Sequence, residues 1–448
     1  MSHPTTSPIY LPTPLQVPLE VTFDAGRLTS DGGLPWLAEA DQALGLCEAL
    51  AARIPDWRRG PVRHSLATLV RQRVFQIACG YADQNDATTL RTDPLLKLVC
   101  GRRPTTGPAL ASQPTLSRLE NAVDRHAVEA LATALVELYV RERERDGPPQ
   151  RIVLDFDGTD DPAHGEQEGV GYHGYYRQHM YHPLLVFDGD TGHLITAILR
   201  PGRCHGSRFA VLVLRRLVRR LRRAWPDLAI ELRADSGFAI PRLYAWCEAH
   251  AVRYTVGLIP NPTLEQHAAP LQRVAQACST AQGGAKVRLV AATAYQARSW
   301  PHARRVVVKA EILAKGPNTR FVVTTRRDPP AAVYDWYVRR GQPENWLKDL
   351  KNALQADRLS DHRFWANAFR LLLHAAAYWL LDTLRRWLAD TPAAHFQFDT
   401  LRLHLLKIGG YVRERAHRIR LHLASSHPGE PLWAHLAARL HSPVNNPG

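Results

Sequence analysis

The sequence predicts an α/β protein: a mixed sheet flanked by helices, preceded by a helical domain and carrying a β-rich insertion. Three observations predict it. Between about 34 and 147 apolar residues recur at helical spacing, as in "HSLATLVRQRVFQIACGYADQ" and "HAVEALATALVELYVRERER". Past "DGPPQ" at 146–150 the period changes to two, giving "RIVLDFD", "YHPLLVFD" and "HLITAILR" in succession, and then helix and strand in alternation. Finally "KVRLVAATAYQA", "RRVVVKAEIL" and "RFVVTTRR" place three β runs within 262–328 before helices return.

Taken in order, residues 1–33 read as a flexible, Pro-rich leader and 34–147 as the helical domain. In "ASQPTLSRLENAV", Ser112 and Pro114 mark a helix start that carries Ser117 and Arg118 outward, and the helix is either an ordinary capped bundle helix or the reader of a helix-turn-helix. The sheet domain is expected at 150–261 and 329–388, split by the insertion at 262–328. Within it, "RIVLDFD" places Val153, Asp155 and Asp157 on one side of a strand. The helix near 206–225 has an apolar stripe of Leu214, Leu217, Val218 and Leu221, with its arginines facing outward. Two further helices are expected at 331–356 and 361–388. A basic C-terminal region, 389–448, ends in "YVRERAHRIRLHLASSHP", which alternates like a strand pair.

Composition narrows the function. With 448 residues and 45% hydrophobic content the chain can build packed cores. Its longest apolar run, "FRLLLHAAAYWLLDTLRRWL", is broken by His374, Asp382 and Arg385, so no membrane span is expected. The N-terminus lacks a signal-peptide pattern, so a cytoplasmic protein is expected. A formal charge of +15 favours a polyanionic partner. Six scattered cysteines without any Cys-x2-Cys pair indicate neither a zinc ribbon nor a disulfide framework. No Gly-x-Ser-x-Gly elbow, P-loop or dinucleotide fingerprint occurs, so no nucleotide cofactor is expected.

The chemistry concentrates at Tyr337, Arg340, Glu344 and Lys351, whose offsets put all four within about 60° on one helix face. That face offers a carboxylate, two cations and a phenol. Asp157 and Asp235, at or just past strand ends upstream, supply two more carboxylates. A site holding two divalent cations roughly 3.5–4 Å apart needs carboxylates from separate elements. Two points stay open. Asp155, Asp160 and Asp161 crowd Asp157, and Asp155 shares its face, so it is an alternative first ligand. Gly341 and Pro343 would kink the helix or restart it, leaving Glu344 in a new first turn and Tyr337 and Arg340 on the preceding element.

The pattern Tyr-x2-Arg-x3-Glu-x6-Lys, preceded by "DGT" and "ADSGF", resembles the YREK-signature DDE transposases of bacterial insertion sequences. The wording from "FDAGRLTSDGGLPWLAEAD" to "RGQPENWLKDLKN" is most similar to the insertion-sequence group numbered thirteen-eighty, over nearly the whole chain. The resemblance implies a ribonuclease-H-like fold, with the β insertion lying between the second Asp and the Glu. It implies Asp157, Asp235 and Glu344 as catalytic ligands of two Mg²⁺ or Mn²⁺ ions. Tyr337, Arg340 and Lys351 become DNA-binding residues at the cleaved end, with Trp336 and Trp346 as candidate partners for an unstacked base. The implied partners are double-stranded DNA, both terminal inverted repeats and target, and a second copy of the chain, with nucleoid association when bound. Two alternatives remain: a non-catalytic or domesticated DNA-binding derivative, and a metal-dependent nuclease that cuts without joining.

Overall fold

A computed structural model describes residues 8–15, 17–163 and 165–440. Part of the expected leader (1–7 and Gln16), His164 and the last eight residues lie outside them. The chain forms two structural units, 1–119 with 380–448, and 120–379.

In the first unit β1 (Ile9–Leu11) and β2 (Leu19–Val21) pair antiparallel within the stretch read as a leader, and β3 (Leu28–Thr29) follows. The helical spacing then produces α1 (Leu34–Leu44), α2 (Leu46–Ala51), α3 (Leu66–Ala78), α4 (Ala87–Leu90), α5 (Pro94–Val99), α6 (Gln113–Ala122) and α7 (Arg125–Glu144), the last belonging to the second unit. Local chemistry sets the boundaries. Ser65, Asp93 and Asp124 accept from backbone N–H groups in the first turns of α3, α5 and α7. Gly45, left-handed at φ 56°, ends α1.

The second unit is built on one mixed sheet. Its strands are β4 (Arg151–Gly158), β8 (Leu184–Asp188), β9 (Leu194–Ile198), β10 (Ala229–Ala234), β11 (Arg253–Leu258), β12 (Val287–Tyr295), β13 (Arg304–Leu313) and β14 (Gly316–Thr324), in the order β12-β13-β14-β11-β10-β4-β8-β9. β4, β10 and β11 run parallel; every other pairing is antiparallel. Between β4 and β8, the short strands β5 (Asp161–Pro162), β6 (Gly171–His173) and β7 (Gln178–Tyr181) form their own sheet. α8 (Ala210–Ala224) leads into β10, with Leu214, Leu217, Val218 and Leu221 buried as their spacing predicts.

The stretch 262–328 is not β throughout. It opens with α10 (Pro262–Ala281), capped by Asn261, and its three strands extend the main sheet through β14 on β11. Leu271, Ala275 and Cys278, at helical spacing, pack on Val287, Leu289, Ala310 and Ile312 of β12 and β13, which outweighs the interior Pro270.

The helical return consists of α9 (Pro241–Ala249) between β10 and β11, then α11 (Pro330–Val338), α12 (Gln342–Lys348) and α13 (Phe364–Trp387). Tyr378 and Trp379 of α13 donate to the carbonyls of Gly192 and Leu194, fixing the helix on the β8–β9 hairpin. The first unit closes with α14 (Phe398–Leu401), β15 (Gly410–Glu414), β16 (Ile419–Leu423) and α15 (Glu430–Leu440); β15 pairs with both β16 and β3. Among the described residues no helix is long and apolar enough to cross a membrane.

Candidate active site

The register of two parallel strands builds the site. On β4 and β10, Asp155 stands opposite Arg233 and Phe156 opposite Ala234. One step further, beyond the end of β10, Asp235 falls beside Asp157. Because side chains alternate, Asp155 and Asp157 share one face of their strand. The two acids nevertheless meet different fates. Asp155 is 1% exposed and takes two hydrogen bonds of 2.6 Å from Arg233, whose third nitrogen donates to the carbonyl of Trp336. It is thereby spent on a buried ion pair.

Asp157 and Asp235 instead face one guanidinium, with Arg340 Nη2 3.5 Å from Asp157 Oδ1 and 3.4 Å from Asp235 Oδ2. The Asp235 carboxylate is oriented by its other oxygen, which caps the backbone N–H of Gly237 at 2.8 Å. Burial, with Asp235 and Asp155 adding repulsion, pushes the Asp157 carboxyl up to about 6 against the pull of Arg340. For Arg340 burial would lower the pKa, but Asp157 and Asp235 outweigh it and raise it. Its Nε–H is buried with no acceptor.

The remaining acids of the crowded segment separate cleanly. Asp160 binds Lys351 Nζ at 2.9 Å and Gln178 Nε2 at 2.9 Å. Asp161 is buried, and burial raises its carboxyl well above the usual range, with Asp357 adding to it. Only Asp157 of the four faces Asp235.

Gly341 and Pro343 do not break the signature segment. Val338, Arg339, Gly341 and Gln342 all keep right-handed helical backbone angles, so a 3₁₀ turn at Arg339–Gly341 joins α11 to α12. Pro343 sits in the first turn of α12, where its missing N–H costs little. Glu344 also lies in that turn, exposed, one helical turn from Arg340. Tyr337 lies half-buried against β11: a Cβ on Gly257 would come within 2.6 Å of its hydroxyl. A π turn at Asp349–Ala353 carries Lys351 to Asp160. Among the described residues no group of three or more His, Cys, Asp or Glu stands close enough to hold one metal ion. The fold thus brings Asp157, Asp235, Arg340 and Tyr337 together and leaves Glu344 apart. Neither signature tryptophan is a free platform. The guanidiniums of Arg233 and Arg326 lie 5.0 and 4.4 Å from the centre of the Trp336 ring, and Trp346 packs on Phe187 and Gly192.

Residues 12–444 match the family described as Transposase DDE domain group 1. The chain belongs to this family. Its members generally work with divalent metal ions. A search of the curated proteins gives no match. Among solved structures the chain is similar to piggyBac transposase in a synaptic complex with hairpin DNA, at 11% identity and a TM-score of 0.41, covering 93% of this chain and 83% of that one.

In this DDE domain the two facing aspartates fit a divalent cation. They are hard oxygen donors, and the space between them already accommodates a positive charge, that of Arg340.

The stretch "HGEQEGVGYHGYYRQHMYHP" reads in sequence as an ordered loop near the active site without an assigned role, and its β6–β7 hairpin reaches the same carboxylates. Burial pushes the Tyr176 phenol up to about 12, with Asp160, Asp157 and Asp235 contributing. The density of tyrosine and histidine in "GYHGYYRQHMYH" was the available signal. Behind it His182, 5% exposed, packs edge-on to His173 and Tyr176. Burial, with Arg200 adding, lowers His182 to about 4. The fold therefore favours neutral imidazole, and stability present above pH 6.5 is lost as pH falls toward 4, by up to about 3 kcal/mol. We expect His182→Gln to narrow the difference in unfolding midpoint between pH 7 and pH 4.5; an unchanged difference would assign the acid sensitivity to other groups.

Proposed function

We propose that the protein is the transposase of an insertion sequence of the thirteen-eighty group. It binds the element's terminal inverted repeats as a homodimer, cleaves DNA at the ends and joins the freed 3′ hydroxyl to target DNA. The observation that carries this reading is the pairing of Asp157 and Asp235 across Arg340 by strand register. Three antiparallel strands, β9-β8-β4, continued by parallel β10 and β11, support reading the sheet as ribonuclease-H-like.

Two Mg²⁺ or Mn²⁺ ions, when bound, would stabilise charge on the attacking and leaving oxygens of the phosphodiester. Asp157 and Asp235 would hold them, with Glu344 as the third ligand. Glu344 starts from a favourable place, since side chains four apart on a helix have Cβ atoms about 5–6 Å apart and Arg340 already touches both aspartates. Arg340, with an unused N–H, turns from the carboxylates to a DNA phosphate. Tyr337 and Lys351 flank it on the same helical run. Asp155 holds Arg233 and is not a ligand.

The test compares wild type with Glu344→Gln on DNA bearing the element's own ends in Mg²⁺. Cleaved and joined products from wild type alone, with end binding retained by the variant, would support the reading. Binding without cleavage by either protein would favour the non-catalytic derivative, and cleavage without joined products the simple nuclease.

A further inference from the structure

The β15–β16 hairpin of the first unit carries a ladder of arginines. Its register sets Tyr411 opposite His422 and Arg413 opposite Arg420, and the bond from Arg415 N–H to the Arg418 carbonyl at 2.9 Å adds a third rung. Alternation places all six side chains on one face, and all six are exposed. The opposite face is anchored. Val412 is buried, and Glu414 accepts from the backbone N–H and hydroxyl groups of Thr105 and Thr106 and from Arg103. The Thr105 hydroxyl above all, then its N–H, Thr106 and Arg103, hold the Glu414 carboxyl well below the usual carboxylate range.

Directly opposed like charges destabilise a strand pair. Here two such rungs stand about 7 Å apart along the strands, and the hairpin's one acid points away. Arg413, Arg415, Arg418 and Arg420 together line one surface depression, and none of them makes an ion pair among the described residues. Four guanidiniums on a hairpin locked from behind are arranged for an external anion with several charges in a row. β3 pairs only with Gly410 and Tyr411, so beyond them the ribbon is two-stranded, a form that the major groove of a duplex, about 12 Å wide, admits.

We propose that this arginine ladder is a duplex-DNA contact surface, engaging backbone phosphates along one groove. The inference rests on the transposase reading for its partner. It adds a DNA contact within 1–119 and 380–448, apart from the acidic site of 120–379.

The experiment measures binding of the full chain to a random-sequence 30-bp duplex across a salt series. Each phosphate contact contributes about −0.9 to the slope of log K against log salt. The quadruple variant Arg413→Gln, Arg415→Gln, Arg418→Gln, Arg420→Gln is expected to lose three to four units of slope, and the corresponding Lys variant to keep it. The Gln variant should melt no lower than wild type, because it removes repulsion, so lost binding is not lost folding. A wild-type slope in the Gln variant would overturn the ladder and leave the transposase reading standing. So would a loss confined to single strands or RNA. Failure of wild type to bind duplex at all would remove both.

Discussion

Asp157→Asn is expected to stop strand cleavage, by at least about a thousandfold, while leaving the fold and duplex binding intact. Removing one carboxylate from a two-cation site forfeits several kcal/mol of charge stabilisation in the transition state, and each 1.36 kcal/mol is a factor of ten in rate. The side chain is 14% exposed, is pushed toward neutrality by burial, and is repelled by Asp235. Its neutral isostere therefore relieves an unfavourable charge, and Arg340 keeps Asp235 as a partner. Melting temperature should hold or rise slightly. Cleavage by Asp157→Asn at near-wild-type rate would remove Asp157 from the site and return attention to Asp155.

Arg233→Met is expected to cost about 3–5 kcal/mol of stability, which for a unit of this size lowers the apparent melting temperature by about 6–20 °C. The reason is the company Arg233 keeps. With Asp155 at 1% and Arg233 at 2% side-chain exposure, removing the guanidinium strands a charged carboxylate where water cannot reach it. Arg233 also donates to the Trp336 carbonyl and lies 5.0 Å from the Trp336 ring. The double variant Asp155→Leu, Arg233→Met should recover much of the loss, because no charge is then left unpaired. A stable Arg233→Met single variant would refute the account that separates a structural Asp155 from a functional Asp157. The two experiments form a pair: the same strand face carries one aspartate whose loss is read in products and another whose loss is read in stability.

Much of this was legible in the sequence. The change from helical to two-residue spacing after 150 located the mixed sheet, and the buried stripe of α8 falls on the residues its spacing named. The offsets of Tyr337, Arg340 and Glu344 survive because the backbone stays right-handed through Gly341. The apolar positions of α10 are mostly alanine and cysteine and a proline interrupts them, so its helical signal in the sequence is weak until β12 and β13 supply the surface they pack on. Spacing leaves open whether Trp336 and Trp346 fill a core or stack on a base, because what an aromatic ring touches is set by long-range packing.

Spacing alone determined which side chains share a face of one strand or one helix, since that is set by backbone geometry within a few residues. It could not determine which faces meet. The choice of Asp157 over Asp155 depends on β10 pairing with β4 so that Arg233 lands opposite Asp155 and Asp235 beside Asp157. A slip of one residue would have reversed every face of that pairing. The destination of Lys351 at Asp160 depends in the same way on a π turn and on a loop 191 positions earlier in the chain. Register and long-range packing are settled by the burial of the whole sheet, a sum over many residues that no local pattern contains.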